Sequence, residues 1–173
     1  MTVTDKTAIV TGAASKRGIG RATAHALAAA GWHIAVLDLD EASAKEAAHE
    51  IADRHGVQAV GVSCDVTDET SVEQALAVLD GTLPPVGALV NNAGITSPTP
   101  FLEVSGEEWD RIFAVNVRGS FNITRRVAPG MAGRGFGRIV FLASVSAATS
   151  PTRRPSRMRW PRWTARCRRS APS

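Results

Sequence analysis

The chain has 173 residues, of which 44% are hydrophobic, a size and composition that suit one globular domain and exclude disorder over the whole chain. No apolar run approaches the roughly 20 residues of a membrane-spanning helix, and the first residues lack the pattern of a secretory signal. Two cysteines make no disulfide framework, so we expect a cytoplasmic protein. The net charge of +4 combines −4 over residues 1–150 with +8 over residues 151–173, where eight arginines meet no acidic residue.

Five short apolar runs predict strands that are buried on both faces of a sheet. They cover residues 7–10, 33–37, 57–62, 88–90 and 138–142. Helical segments separate them at residues 18–30, 41–55 and 69–79, and a fourth runs from residue 105 towards 127 with room for a break. The alternation predicts an α/β fold, a doubly wound parallel sheet of Rossmann type truncated after about its fifth strand.

A glycine-rich segment joins the first predicted strand to the first predicted helix. Glycines at such a turn let the backbone approach a pyrophosphate, and the helix N-terminus supplies N–H donors and partial positive charge. We predict a dinucleotide-binding loop here, and the alternative is a tight turn without a ligand. The candidate binding residues are Gly12, Ser15, Lys16, Arg17, Gly18, Ile19 and Gly20.

The choice between NAD and NADP depends on two opposing signals. Asp38 ends the second predicted strand, 18 residues after Gly20, where a carboxylate accepts hydrogen bonds from the adenosine ribose and repels a 2′-phosphate. Lys16 and Arg17 lie in the loop and are able to attract that phosphate. We predict NAD because of the position of Asp38, and NADP stays open as the second cofactor.

Several further motifs follow the glycine-rich loop in a fixed order. They are Asp65-Val66, Asn91-Asn92-Ala93-Gly94, Asn116-Val117-Arg118-Gly119, and Gly137-Arg138-Ile139-Val140 followed by Ser144. Together with the loop, these motifs resemble those of the short-chain dehydrogenase/reductase family in order and in approximate spacing. The resemblance covers residues 1–150, so this range is expected to be an incomplete NAD(P)-binding domain.

The resemblance implies an NAD(P)-dependent oxidoreductase that interconverts a small secondary alcohol and a ketone. It places the Asp65-Val66 pair in the cofactor site, with Asp65 against the adenine ring. It also implies that four residues shape the floor of the cofactor cleft: Asn91, Asn92, Ala93 and Gly94.

By the same resemblance, Asn116 and Ser144 are catalytic. Asn116 would hold a water in a proton relay, and Ser144 would hydrogen-bond the substrate oxygen. The structural alternatives are a buried polar group on a helix for Asn116 and a strand-end cap for Ser144. The four histidines show no convergent spacing, so no metal site is expected.

The chain departs from the family pattern in two ways. The family usually has three residues between the first two glycines of the loop, whereas this chain has five. The family's general acid is a tyrosine with a lysine four residues later, but the chain contains no tyrosine and no lysine after Lys45. We therefore expect little or no turnover, and the alternative function is a non-catalytic dinucleotide-binding module. Family members assemble through the helix around 105–127 and a later helix that carries the tyrosine, so self-assembly stays open here.

The arginine-rich segment at residues 151–173 has three interpretations. It is out-of-frame translation, a natural extension, or a nucleic-acid-binding arm with Trp160 and Trp163 for base stacking, the last being the least favoured. Reading the last base of each codon with the first two of the next permits tyrosine across the Arg157/Met158 junction. The same frame permits lysine across the Pro161/Arg162 junction, four positions later. This agreement with the family pair makes a frameshift our preferred interpretation.

Overall fold

The computed structural model describes residues 6–143 of the chain. Its strands are β1 (Thr7–Thr11), β2 (His33–Asp38), β3 (Ala59–Ser63), β4 (Val86–Asn91) and β5 (Arg138–Phe141). Its helices are α1 (Ile19–Ala29), α2 (Glu41–His55), α3 (Glu69–Asp80), α4 (Gly106–Phe113) and α5 (Ser120–Gly133). The five strands pair in parallel in the order β3-β2-β1-β4-β5, which confirms the predicted Rossmann-like sheet.

Alternate residues of the central strand β1 face opposite sides of the sheet, as the pleat requires. Ala8 and Val10 belong to the core layer formed with α1 and α2, which contains Ala24, Ala28, Ala44, Ala47 and Ile51. Ile9 belongs to the opposite layer, formed with α3 and α5, which contains Val72, Ala75, Leu79, Ile123, Val127 and Met131. Both layers are predominantly apolar, and this explains why the strand sequences read as continuous apolar runs.

Helix α2 packs unusually close to β3. A Cβ atom on Gly61 would lie 2.1 Å from the carbonyl oxygen of Ala44, so only glycine permits this approach. The side chain of Asp40 caps the start of α2 by accepting from the Ser43 N–H at 3.1 Å. Gly56 ends it in the left-handed conformation at φ 67°, as the sequence predicted. Helix α2 is therefore held firmly in place beside the loop that follows β1.

The predicted fourth helix is three consecutive segments. Between α4 and α5 lies a π-helical segment, Ala114–Gly119, and α5 then continues through Pro129 to Gly133. The sequence predicted a helix running towards Val127, and α5 extends further, to Gly133, although a proline inside a helix ordinarily ends it. A shorter correction applies to β3 and β4, which cover Ala59–Ser63 and Val86–Asn91 rather than residues 57–62 and 88–90.

The edge strand β5 is the most exposed of the five described strands. Val140 and Phe141 are 49% and 57% exposed, and Phe121 on the neighbouring α5 is 57% exposed. None of the helices between residues 6 and 143 combines the length and apolar character that crossing a bilayer requires. Because neighbouring residues of a strand face opposite sides of the sheet, Val140 and Phe141 expose apolar surface on both faces at the β5 edge.

Candidate functional site

A cleft of about 430 Å³ opens at the carboxyl ends of β1, β2, β3 and β4. This is the point where the strand order reverses on either side of β1, the usual ligand position in doubly wound sheets. It is lined by Gly12, Gly18, Ile19, Leu37, Asp38, Leu39, Cys64, Asp65, Val66, Asn92, Ala93, Gly94, Ile95 and Val115. The structure thus brings together most of the cofactor residues that the sequence predicted.

The glycine-rich loop packs directly against the turn after β4. Gly12 has a φ of 63°, and a Cβ atom there would lie 2.8 Å from the Ala93 Cα. A Cβ on Gly20 would lie 2.5 Å from Asn92 Nδ2 and 2.7 Å from the Gly12 carbonyl oxygen. Both glycines are therefore required by the close packing at the cleft, whatever ligand it holds.

Helix α1 begins at this cleft without a side-chain cap. Its N-cap is Gly18, which has no side chain to bond the first free N–H groups. Gly18 and Ile19 both line the cleft, so these N–H groups and the positive end of the helix dipole are available to an anion there. The arrangement suits a pyrophosphate.

Thr11 and Asn92 cross-link the ends of β1 and β4. The Thr11 hydroxyl accepts hydrogen bonds from the Asn92 N–H at 3.0 Å and the Ala93 N–H at 2.9 Å. The Asn92 side-chain amide donates to the carbonyl oxygens of Thr11 and Gly12, both at 2.8 Å. These four bonds fix the floor of the cleft, where the sequence placed the Asn91–Gly94 turn. Asn91 itself is buried below the floor and donates to Thr124 on α5 at 3.1 Å.

Two carboxylates stand at the side of the cleft that β2 and β3 form. Asp38 Oδ2 accepts from the Ala14 N–H at 2.9 Å, which ties the loop to the end of β2. Asp65 Oδ1 accepts from the N–H and hydroxyl of Thr67, at 2.8 and 2.7 Å. Each carboxylate has further lone pairs, so both remain able to accept bonds from a ligand.

Helix α5 and the π-helical segment both contact the Asp65-Val66 turn and hold it in place. Asn122 on α5 donates to the Val66 carbonyl oxygen at 2.9 Å. A Cβ on Gly119 would lie 2.5 Å from Val66 Cγ2, so glycine is needed for the contact. Sequence analysis did not single out Asn122, although a buried amide on an apolar helix face is the signal that marks such a residue.

Asn116 lies in the π-helical segment and fastens the loop after β4. Its Oδ1 accepts from the Ile95 N–H at 2.8 Å, and its Nδ2 donates to the Ile95 carbonyl oxygen at 2.9 Å. The side chain is exposed, so the structural alternative of a buried helix group does not describe it. It lines an adjacent apolar groove with Val117, Phe121 and Phe141 rather than the cleft itself.

The two cations of the loop, Lys16 and Arg17, do not line the cleft. Ser15, Lys16 and Arg17 are exposed and do not line it. Lys16 Nζ lies 2.8 Å from Glu46 Oε1 on α2, and this contact raises the pKa of Lys16 and lowers the pKa of Glu46. Lys16 and Arg17, the two residues that favour NADP, therefore contribute no charge to the cleft lining in this conformation.

Arg21 was missed by the sequence analysis. It is only 3% exposed, donates to the Ala14 carbonyl oxygen at 3.1 Å, and lies 2.9 Å from Glu50 on α2. The signal was available, because Arg21 stands three and seven residues before Ala24 and Ala28 on the buried stripe of α1. Both backbone polar groups of Ala14 are thus bonded, the N–H to Asp38 and the carbonyl oxygen to Arg21.

A reactive thiol and a metal centre are two other kinds of site chemistry that the described residues do not favour. Burial raises the pKa of the Cys64 thiol to about 11, so it is a neutral apolar lining group at pH 7. Among residues 6–143, no group of three or more histidine, cysteine or acidic side chains is placed to hold a metal ion. Ser144 and the arginine-rich segment at 151–173 lie outside the described residues.

The family model for short chain dehydrogenases matches residues 6–155. The chain belongs to this family. It is 42% identical over 148 residues to an uncharacterized short-chain type dehydrogenase/reductase, y4mP, of Sinorhizobium fredii, covering 85% of this chain and 58% of the relative. It is 38% identical over 144 residues to the 3-oxoacyl-acyl-carrier-protein reductase FabG of Aquifex aeolicus, covering 83% of this chain and 57% of that one.

A solved short-chain dehydrogenase relative shares the fold in three dimensions. The L-sorbose reductase of Gluconobacter frateurii, complexed with NADPH and L-sorbose, has a TM-score of 0.73 and 31% identity, covering 80% of this chain and 52% of that one. The chain thus spans little more than half the length of these relatives. Homologues named as reductases and dehydrogenases identify an oxidoreductase family that uses a nicotinamide dinucleotide. The uncapped α1 N-terminus and the two cleft carboxylates fit such a group.

Proposed function

We propose that the protein binds NAD in preference to NADP, as part of a short-chain dehydrogenase that interconverts a small secondary alcohol and a ketone. The observation that carries the cofactor choice is the charge of the cleft. Its lining includes Asp38 and Asp65, and no lysine or arginine is found among the residues that line it in the described structure. A 2′-phosphate beside Asp38 would meet a negative charge without a cation to offset it.

Each part of the dinucleotide has a fitting group in the cleft. The free N–H groups of α1 would bind the pyrophosphate beside Gly18 and Ile19, which line the cleft. Asp38 would accept bonds from the adenosine ribose, while Asp65 and Val66 would contact the adenine. The Asn92–Gly94 turn would support the rest of the cofactor, because Thr11 and Asn92 keep it in one position.

The dinucleotide, when bound, supplies or accepts the hydride. We propose that Ser144 donates a hydrogen bond to the substrate oxygen and that Asn116 contributes to a proton relay. Asn116 bonds both polar groups of Ile95, which fixes the loop beside the π-helical segment, and its amide keeps one N–H and one lone pair for a relay water. We also propose a cytoplasmic location, consistent with the buried, unpaired Cys64.

A second candidate function is a dinucleotide-binding module without turnover. The absence of tyrosine from the chain favours it, because the family's general acid is missing and such a loss costs roughly 10²–10⁴-fold in rate. The two candidates agree on cofactor binding and differ only on catalysis.

Titration of the full chain with NADH and NADPH, followed by nicotinamide fluorescence, tests the proposal. We expect NADH to bind more tightly, and Asp38→Asn to reduce that preference on the order of ten-fold. An assay with a panel of secondary alcohols and ketones then separates the enzyme from the binding module. Tighter binding of NADPH, or no binding of either cofactor, would contradict the cofactor assignment.

A further inference from the structure

Two acidic residues of α2 engage one cation of the loop and one cation of α1. Glu46 lies 2.8 Å from Lys16 Nζ, and Glu50 lies 2.9 Å from Arg21. The two pairs differ in exposure. The side chains of Lys16 and Glu46 are 72% and 58% exposed, whereas the side chain of Arg21 is 4% exposed. Arg21 is fixed inside the protein, whereas Lys16 is held only by a surface contact.

Lys16 is otherwise well placed to serve the adenosine end of the cleft. It lies two residues from Ala14, whose N–H bonds the Asp38 carboxylate at 2.9 Å. A lysine side chain freed from Glu46 has the reach and flexibility to approach Asp38. There it would neutralise the carboxylate or meet a 2′-phosphate directly, and either contact would favour NADP.

We propose that Glu46 is a specificity-determining residue, which selects NAD by holding Lys16 on α2 and away from Asp38. The inference rests on the proposed function, since it concerns how the same cleft discriminates between two cofactors. The longer loop contributes to this pairing, because its five residues between Gly12 and Gly18 allow Lys16 to reach α2. Glu46 acts through Lys16, and it is not among the residues that line the cleft.

The test is a set of cofactor affinities measured on the full chain at low ionic strength. Glu46→Gln removes the charge and keeps the side-chain length. We expect it to tighten NADPH binding about three- to five-fold, the size of an exposed ion pair, with NADH affinity unchanged. Lys16→Met alone should leave the NADPH affinity close to the wild type, because Lys16 is already withheld. The double variant Glu46→Gln/Lys16→Met should lose the gain.

Glu41→Gln is the matched control. It removes the same charge from the same helix, but Glu41 pairs with Lys45 at 2.6 Å rather than with a loop cation. An unchanged cofactor ratio in Glu46→Gln, or an equal change in Glu41→Gln, overturns the inference. A gain that persists after Lys16→Met overturns it as well. Absence of any cofactor binding by the wild type instead overturns the proposed function, and the inference with it.

Discussion

The side of the sheet that carries the phosphate loop is more completely buried than the side that carries β5. At the loop, Thr11, Asn92 and Arg21 bond backbone groups of neighbouring segments, and the surrounding core is buried alanine and valine. At β5, Val140 and Phe141 are about half exposed and the strand has one partner among the described residues, β4. A firmly held cofactor cleft therefore lies beside a partly exposed strand, β5, which leads towards Ser144.

The largest expected effect concerns turnover. We consider a one-base insertion in the gene upstream of codon 151. It selects the frame in which each codon consists of the last base of one original codon and the first two bases of the next. This frame should supply the tyrosine across the Arg157/Met158 junction and the lysine across the Pro161/Arg162 junction. We expect the dehydrogenase rate to rise by roughly 10²–10⁴-fold, because a general acid is restored. The measurement is NADH-linked turnover with a panel of ketones, compared with the unchanged chain.

Sequencing of the gene across codons 140–173 and beyond is the control for that experiment. An alternative frame that closes early, or that lacks the tyrosine and lysine codons, would show that the arginine-rich segment is not a frameshift product. A restored frame with no gain in turnover would show that the missing acid does not limit the rate. Either outcome would contradict the prediction that a frameshift removed the general acid and, with it, the turnover.

Much of the fold followed from the sequence, because strand burial and helix ends are encoded locally. The five apolar runs predicted the five strands, and Gly31 and Gly56 predicted where α1 and α2 stop. The end of α5 was not predictable, since Pro129 and Gly130 argue against a helix that tertiary packing nevertheless extends to Gly133. Local signals therefore decide most element boundaries, and packing overrides them at α5.

The candidate site was predictable to the same extent. Gly12, Asp38 and Asn92 line the cleft as their positions indicated. The pairing of Lys16 with Glu46, and the burial of Arg21 against Glu50, join residues about 30 positions apart, and no local pattern encodes such contacts. The charge that a loop cation brings to the cleft therefore depends on a neighbouring helix, which the sequence alone does not show.

A smaller effect is expected from crowding the loop. In Gly20→Ala, the new methyl group would meet Asn92 Nδ2 at 2.5 Å and the Gly12 carbonyl oxygen at 2.7 Å, so the bonds at the floor of the cleft must shift. We expect the free energy of unfolding to fall by about 1–3 kcal/mol, with weaker NADH binding. Urea unfolding and the fluorescence titration measure the two effects.

Gly81→Ala is the matched control for Gly20→Ala. A Cβ at Gly81 meets nothing within 4 Å, and its backbone is right-handed at φ −88°. We expect it to be neutral or stabilising by up to about 1 kcal/mol, because alanine restricts the unfolded chain more than glycine does. Equal losses of stability in the two variants would show that the loop is no more tightly packed than an open helix end.

The smallest effect on stability is expected at the exposed edge. Val140→Lys places a charge on β5, and we expect the free energy of unfolding to change by less than about 1 kcal/mol, because Val140 is 49% exposed. Self-association should nevertheless fall, since a lysine on an edge strand opposes pairing with a second sheet. Val78→Lys on α3 is the control: Val78 is 47% exposed and lies away from β5. Self-association is measured by sedimentation velocity. The same self-association in both variants would mean that β5 contributes no more to it than other exposed apolar groups do. A decrease that is specific to Val140→Lys would identify β5 as the edge through which the protein self-associates.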